Sequence, residues 1–344
     1  MSDNIATLAQ LLDAAGTTWR VFDIGRRVQK IDKATFADIE STTIPYPYPL
    51  AQHALLAIQF WDPKASSEPY VWFLKMPLDE QSKLVAASRD HFANMVLEAI
   101  GTSLTGAEGE QSKLDNNPYV FTPNANKRAA FNARIKVELR QSASQYYEHA
   151  QLYLSGKLGW QDWQSVAVQG LADFAARIDH QDNEALLCQA WSQLPAQVRQ
   201  PLAAQLENSE LGTEAAQTLL TSINQAIQHQ DKALLIDALR AISSARAVGL
   251  VEQALGQVMN SDYGQDADIC QVIAGRLWAY LEAPQTLAQF LEHCCRIDTE
   301  QPLFASIFAD LVAIPMLRPH VLAILRCEQR SDALSRAIGG LFSS

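Results

Sequence analysis

Residues 234–258 read LLIDALRAISSARAVGLVEQALGQV, and the same kind of pattern recurs over most of the chain. Leu, Ile, Val and Ala recur every three or four residues on both sides of the Ser243-Ser244 pair. This spacing puts the apolar side chains on one face of each segment and predicts two amphipathic helices joined by a short break. The same texture of Ala, Leu and Gln extends from about residue 125 to the C-terminus. The sequence therefore predicts that the last two-thirds of the chain is a stack of helices.

The helical region, 126–344, divides into segments at proline, glycine and paired serine residues. We expect one long helix at 126–154, then shorter helices at 163–178, 183–193, 196–206, 213–228, 231–243, 246–259, 266–281, 284–296, 303–313 and 317–341, the last either whole or broken. Helix-plus-turn lengths of roughly 15–20 residues are typical of paired-helix repeats. The repeats do not align into clean copies, so a HEAT-like α-solenoid and an irregular helical bundle both stay open for this C-terminal domain.

Residues 1–101 have a different composition, rich in aromatic residues and strand-like runs. Two apolar runs, 54–61 and 70–76, with Asp62-Pro63 between them, predict a β-hairpin. The hairpin is apolar on both faces, so we expect both faces to be covered. Shorter runs at 19–24 and 28–31 predict two more strands, and the N-terminal domain is predicted to be α+β.

Three prolines alternate with Tyr46 and Tyr48 at 45–49, a spacing that excludes helix and central strand. We interpret this PYPYP segment as a polyproline II strap over the core, with recognition by a proline-binding module as the alternative. A strong helix is predicted to begin at an Asp79 cap and to end at Gly101. Residues 102–125 hold Gly, Ser, Asn and Pro with few apolar residues, and they are predicted to be a linker between the two domains.

The net charge of the chain limits the class of macromolecule that it can bind. The chain of 344 residues has a net charge of −11, with 27 Lys and Arg against 38 Asp and Glu. Residues 151–344 carry most of this excess, and such a surface repels phosphate backbones. A nucleic-acid partner is therefore disfavoured, and a protein partner is expected.

The cysteines and the apolar runs indicate the cellular compartment in which the protein is expected. The five cysteines are odd in number and none forms a C-x-x-C pair, a usage typical of a reducing compartment. No apolar run approaches the length that spans a membrane. We therefore expect a cytoplasmic protein with no membrane partner.

The segment DIGRRVQK supplies the candidate ligand-binding residues of the N-terminal domain: Asp23, Arg26, Arg27 and Lys30. Guanidinium groups around a tight turn can bind a phosphate or a carboxylate. The alternative is a hairpin tip whose charges face water, with Gly25 at the turn.

No catalytic residue, metal site or cofactor site is predicted. Asp262, Asp266 and Asp268 lack the twelfth-position glutamate of a calcium loop, because Ile273 stands there. Successive helical residues point about 100° apart, so His293, Cys294 and Cys295 cannot all chelate one ion. No phosphate-binding loop or nucleophile motif is present.

Two resemblances add to these patterns. FDIGRRVQKI, PYPYPL, IQFWDP and YVWFLKMPLDEQ, between residues 22 and 81, resemble an uncharacterised gammaproteobacterial family of unknown function, over most of the chain. That resemblance implies a bacterial cytosolic protein and supplies no catalytic residue. Residues 234–258 are similar to a HEAT-like helical pair, although a clear proline in each first helix is lacking.

Three hypotheses follow. The first is a non-enzymatic scaffold that binds a protein partner on the helical array. The second is an enzyme or small-ligand binder with a polar site at the interdomain junction, with candidates Asp23, Arg26, Arg27, Asp62 and Lys75. The third is a nucleic-acid adaptor that uses Arg20, Arg26, Arg27, Lys30 and Lys33, which the acidic second half disfavours most.

Overall fold

A computed structural model describes residues 7–64, 69–105, 117–297, 302–327 and 330–342. The chain forms two compact units. One comprises Met1–Pro123 and Ala313–Met316, and the other comprises Asn124–Val312 and Leu317–Ser344. The prediction of an α+β N-terminal part followed by a helical C-terminal part is confirmed.

The first unit is built on a four-stranded antiparallel sheet of order β2-β1-β3-β4. Its elements in chain order are α1 (Leu8–Ala14), β1 (Thr18–Asp23), β2 (Gln29–Ile31), α2 (Lys33–Glu40), β3 (His53–Trp61), β4 (Tyr70–Pro77) and α3 (Ala86–Thr105). The predicted hairpin corresponds to β3 and β4. Continuous apolar runs bounded by turn residues located it to within one residue at most ends.

Side chains of one sheet face alternate into a core shared with α1, α2 and α3. Trp19, Ile58 and Leu56 belong to this core, and the Trp19 ring meets the Phe36 ring of α2 edge-on at 6.0 Å. Phe22, Ala57 and Gln59, which point to the other face, are also fully buried. Both faces of the sheet are therefore shielded, as the apolar runs predicted.

The predicted start and end of α3 are wrong. The helix begins at Ala86, and Asp79 instead closes a turn, since its Oδ1 accepts hydrogen bonds from the backbone N–H groups of Gln81 and Lys83 at 2.8 and 2.9 Å. An aspartate that caps its own turn gives the same local signal as a helix N-cap. The helix also continues past Gly101 to Thr105.

Part of the segment predicted as a linker, 102–125, bonds to the sheet. The Lys75 N–H donates to the Tyr119 carbonyl at 2.7 Å, and the Phe121 N–H donates to the Phe73 carbonyl at 3.1 Å. Residues around Val120 thus extend the edge of β4, and the first unit ends only at Pro123. The middle of this segment, 106–116, lies outside the described residues.

From Ala125 onward the chain forms α-helices linked by short turns and 3₁₀ segments. They are α4 (Ala125–Glu138), α5 (Tyr147–Leu154), α6 (Val168–Ala176), α7 (Asn183–Ala190), α8 (Ala196–Leu206), α9 (Thr213–His229), α10 (Lys232–Ile242), α11 (Val248–Met259), α12 (Ala267–Arg276), α13 (Pro284–Ile297), α14 (Pro302–Ala313), α15 (Arg318–Leu325) and α16 (Asp332–Gly340). Most match a predicted helix, and the region 317–341 is broken between α15 and α16.

One long helix at 126–154 is wrong, because the chain turns between α4 and α5. Arg140 adopts a left-handed backbone with φ of 54°, which ends α4. The Ser144 N–H then donates to Asp173 Oδ2 of α6 at 3.1 Å. The apolar spacing runs through both helices, so periodicity alone could not show the turn between them.

The helices from α4 to α12 pack in two layers. In one layer, α4, α6, α8, α10 and α12 each contact the next, and in the other, α5, α7, α9 and α11 do the same. Fully buried side chains such as Leu219, Leu235 and Leu255 fill the space between the layers. Each such leucine contributes about 1.5–3 kcal/mol through burial. The layer of α4, α6, α8, α10 and α12 is called layer one below, and the other layer two.

Candidate functional site

The residues predicted from DIGRRVQK divide into a buried pair, Asp23 and Arg26, a half-buried arginine and an exposed lysine. Asp23 is fully buried and accepts hydrogen bonds from the Gly25 and Arg27 backbone N–H groups and from the Tyr46 hydroxyl, the last at 2.7 Å. Arg26 is 1% exposed, and its Nε donates to the Pro49 carbonyl at 2.9 Å. Both side chains therefore join this turn to the PYPYP strap.

Tyr46 of the strap donates a hydrogen bond to this buried carboxylate. Burial, and then the charge of Asp23, raise the pKa of Tyr46 well above its ordinary value, so the hydroxyl stays a donor. Arg27 is half-buried and Lys30 is exposed. Ligand binding by Asp23, Arg26, Arg27 and Lys30 stays a prediction, and the interior contacts of Asp23 and Arg26 supply a structural role.

The strand register separates Asp62 from the other residues proposed for an enzyme. Asp23 pairs with Leu56, and Lys75 pairs with Leu55, so these two lie toward the same end of the sheet. Asp62 follows Trp61 at the other end of the hairpin. Asp62 is exposed and caps its own turn, accepting from the Lys64 N–H at 2.8 Å.

A buried charge cluster that sequence reasoning missed lies in layer one. Glu207 follows the last residue of α8 and is 1% exposed. Its Oε2 accepts hydrogen bonds from Arg240 Nε of α10 at 2.9 Å and from Arg276 Nε of α12 at 2.7 Å. Lys127 Nζ of α4 lies 3.9 Å from the other oxygen. One carboxylate thus connects four helices of the same layer.

The balance of charges keeps Glu207 ionised. Burial by itself would raise its pKa, but Arg276, Lys127 and Arg240 together outweigh burial and hold the pKa below the ordinary value. Three cations thus surround this one carboxylate. The charge of Arg240 also acts on Asp237, so the cluster belongs to a wider network of ion pairs in layer one.

The two arginines of the cluster line a groove of about 310 Å³ between α10 and α12, called the arginine groove below. Ile236 and Val272 supply apolar wall, and Gln271 is exposed at its side. Asp268 also lines the groove, but it is paired with Lys232 Nζ at 2.6 Å. The groove therefore offers two cationic forks beside apolar surface, which suits a carboxylate carried next to apolar groups.

A further ion pair joins two neighbouring helices of layer one. Arg199 Nε of α8 donates to Asp237 Oδ2 of α10 at 3.0 Å. Burial raises the pKa of Asp237, and Arg199 opposes that rise. Because this pair connects α8 to α10, it helps to hold one wall of the groove in place.

A weak sequence signal for the cluster did exist. Glu207 and Arg240 are 33 residues apart, and Arg276 lies one further helical pair along. Lone charges that recur at about the length of a helical pair can meet when the pairs stack side by side.

Among the described residues, no three His, Cys, Asp or Glu side chains are placed to hold a metal ion together. None of the described helices is both long enough and apolar enough to cross a bilayer.

Comparison with known proteins identifies the family. A family model described as protein of unknown function (DUF3549) matches residues 3–342, so the chain belongs to that family. No curated protein and no solved structure matches the chain.

Proposed function

We propose that this DUF3549 protein is a non-enzymatic scaffold that binds a protein partner on its helical array, with the arginine groove as the contact site. The observation that carries the proposal is the pair Arg240 and Arg276, both held by Glu207 at the wall of one groove. The alternate packing of helices in two layers supports a HEAT-like α-solenoid, an architecture that presents extended binding surfaces.

Preorganisation favours binding at this groove. A surface arginine normally loses side-chain entropy when it binds, at about 0.5–1.5 kcal/mol for each immobilised side chain. Arg240 and Arg276 are already fixed at Nε by a buried carboxylate. Much of their side-chain entropy is therefore lost when the protein folds and not when it binds a partner. Their guanidinium groups then meet an incoming carboxylate in a set geometry.

The charge of the whole chain narrows the class of partner. With a net charge of −11, the protein repels long polyanions such as nucleic acids. A short protein segment with one carboxylate beside apolar residues avoids this repulsion and fits Ile236 and Val272. A cytoplasmic location is part of the same proposal and is supported by the five free cysteines.

Selection of a random displayed peptide library on the full-length chain tests the proposal. We expect enriched peptides to carry an acidic residue next to apolar ones. Gln271 is exposed at the groove, so Gln271→Glu adds a repelling charge at little cost to folding, and Gln271→Lys adds an attracting one. Affinity for the enriched peptides should fall about three- to tenfold with the first and rise with the second.

Matched controls use Gln217, an exposed residue of α9 in layer two. Gln217→Glu and Gln217→Lys change net charge by the same amounts away from the groove, and they should leave affinity unchanged. Enrichment of basic peptides, no enrichment, or equal responses at positions 217 and 271 would each contradict the proposal.

A further inference from the structure

A second groove, of about 730 Å³, lies in layer two between α9 and α11 and is called the amide groove below. The described residues that line it include none with a charged side chain. Most of its polar lining consists of carboxamides, namely Asn224, Gln228, Gln253, Gln257 and Asn260. The arginine groove, by contrast, is lined by Arg240, Arg276 and Asp268, so the two grooves favour different ligands.

A carboxamide offers the same hydrogen-bonding groups as a peptide bond. Each Asn or Gln side chain has an N–H donor and a carbonyl acceptor, which can pair with the N–H and C=O of an extended backbone. Amide side chains can therefore bind a polypeptide whatever its side chains are. Charged side chains, by contrast, select a ligand by its charge.

The spacing of the carboxamides fits an extended chain. Asn224 and Gln228 are one turn apart on α9, and Gln253 and Gln257 are one turn apart on α11. Four helical residues rise about 6 Å. Alternate residues of an extended chain are about 6.6–7 Å apart and present their polar groups to the same side. Each pair of amides thus matches the two-residue repeat of a bound strand.

One local feature leaves room for a ligand. Gly256 lies in the lining, and a Cβ placed there would have no atom within 4 Å. Asn260 Oδ1, which also belongs to the lining, is oriented by Gln289 Nε2 at 3.1 Å.

We infer that the amide groove binds an uncharged polypeptide segment in extended conformation, through hydrogen bonds to its backbone. The site is separate from the arginine groove and belongs to the other layer.

The test uses a displayed random library composed only of uncharged residues, selected on the full-length chain. Enriched peptides should bind with an affinity that is insensitive to salt. Gly256→Leu places a side chain in the groove at a position whose Cβ meets no atom within 4 Å, and it should weaken binding about tenfold or more. N-methylation of alternate peptide bonds should weaken binding similarly, because it removes backbone donors.

Gly339→Leu is the matched control. Gly339 is an exposed glycine of α16 whose Cβ position is equally open, so this variant should bind as the wild type does. Failure to enrich any uncharged peptide, or equal affinity of the Gly256→Leu and Gly339→Leu variants, would overturn the inference. Because an uncharged library does not probe Arg240 and Arg276, either result would leave the arginine groove to its own test.

Discussion

Arg276 Nε lies 2.7 Å from Glu207 Oε2, which joins α12 to the end of α8 across 69 positions of sequence. The same oxygen accepts from Arg240 at 2.9 Å. A single carboxylate oxygen therefore sets the spacing of three successive helices in layer one, and with it the position of both arginines in the groove.

Loss of the Glu207 charge should destabilise the helical unit. Glu207→Gln leaves Arg240 and Arg276 without their common anion in a buried setting, and breaking such a pair costs about 3–5 kcal/mol. Because both arginine side chains are about a quarter exposed, we expect the lower part of that range or slightly less, about 2–4 kcal/mol. Urea unfolding of the full-length chain measures the change.

Glu210→Gln is the matched control, and the pH dependence of unfolding provides a second test of the Glu207 charge. Glu210 pairs with Arg246 at 3.0 Å, but the two side chains are 73% and 62% exposed, so its loss should cost less than about 1 kcal/mol. The folded-state pKa of Glu207 lies below its ordinary value of 4.5, so its contribution is lost as pH falls through the lower value. The difference between the wild type and Glu207→Gln should shrink in acid, and a constant difference would contradict the assignment.

Glu40 should make the first unit less stable as pH rises from about 4.5 to about 7. Burial raises its pKa to about 7, although the Ala9 and Leu8 N–H groups and Arg89 oppose the rise. A raised folded-state pKa gives a contribution that is present below pH 4.5 and lost as pH rises toward 7, worth up to about 3 kcal/mol. Carbon-13 NMR of the Glu40 carboxyl group measures the pKa directly.

The Glu40→Gln variant should remove this part of the pH dependence of unfolding. Glu148→Gln, at an exposed position of α5, should leave the profile as in the wild type. A Glu40 carboxyl that titrates near 4.5 would show that this prediction is wrong.

The hydroxyl of Tyr46 should stabilise the contact between the PYPYP strap and the turn at Asp23. Tyr46→Phe removes a 2.7 Å hydrogen bond to a buried carboxylate, with an expected loss of about 1.5–3 kcal/mol. Tyr48→Phe should change stability by less than about 0.5 kcal/mol, since the Tyr48 hydroxyl is influenced by burial and nearby charges and not by a hydrogen bond to a described residue. Equal effects of the two changes in thermal unfolding would refute a special role for Tyr46.

Two helical glycines should respond to alanine with opposite signs. Gly256→Ala places a methyl group in open space and should stabilise α11 by about 0.5–1 kcal/mol. Gly170 is buried in α6, and its Cβ would lie 2.5 Å from the Tyr146 carbonyl oxygen, so Gly170→Ala should destabilise the protein. Calorimetric melting temperatures compare the two variants, and a shift in the same direction for both would contradict the packing at position 170.

The fold was largely predictable because its main signals are local. The β3–β4 hairpin follows from two apolar runs and a turn, and most helices follow from apolar spacing between breaks. The failures occurred where one local signal serves two structures. Asp79 caps a turn as readily as a helix, and the spacing in 126–154 fits one helix or two.

The candidate site was not predictable to the same degree, since it depends on contacts between distant residues. Nothing near Glu207 in the sequence reveals that Arg240 and Arg276 meet its carboxylate. Arg26 shows the converse: a charge beside a turn normally faces water, but the Pro49 carbonyl accepts its Nε in the interior.

The most direct test of a partner bound on the helical array is hydrogen exchange of the full-length chain. It is measured with and without a peptide enriched from the random library that contains charged as well as uncharged residues. We predict that slowed exchange concentrates in α10 and α12, which form the arginine groove. Protection confined to the sheet at 18–77, with no change in either helix, would contradict the central claim.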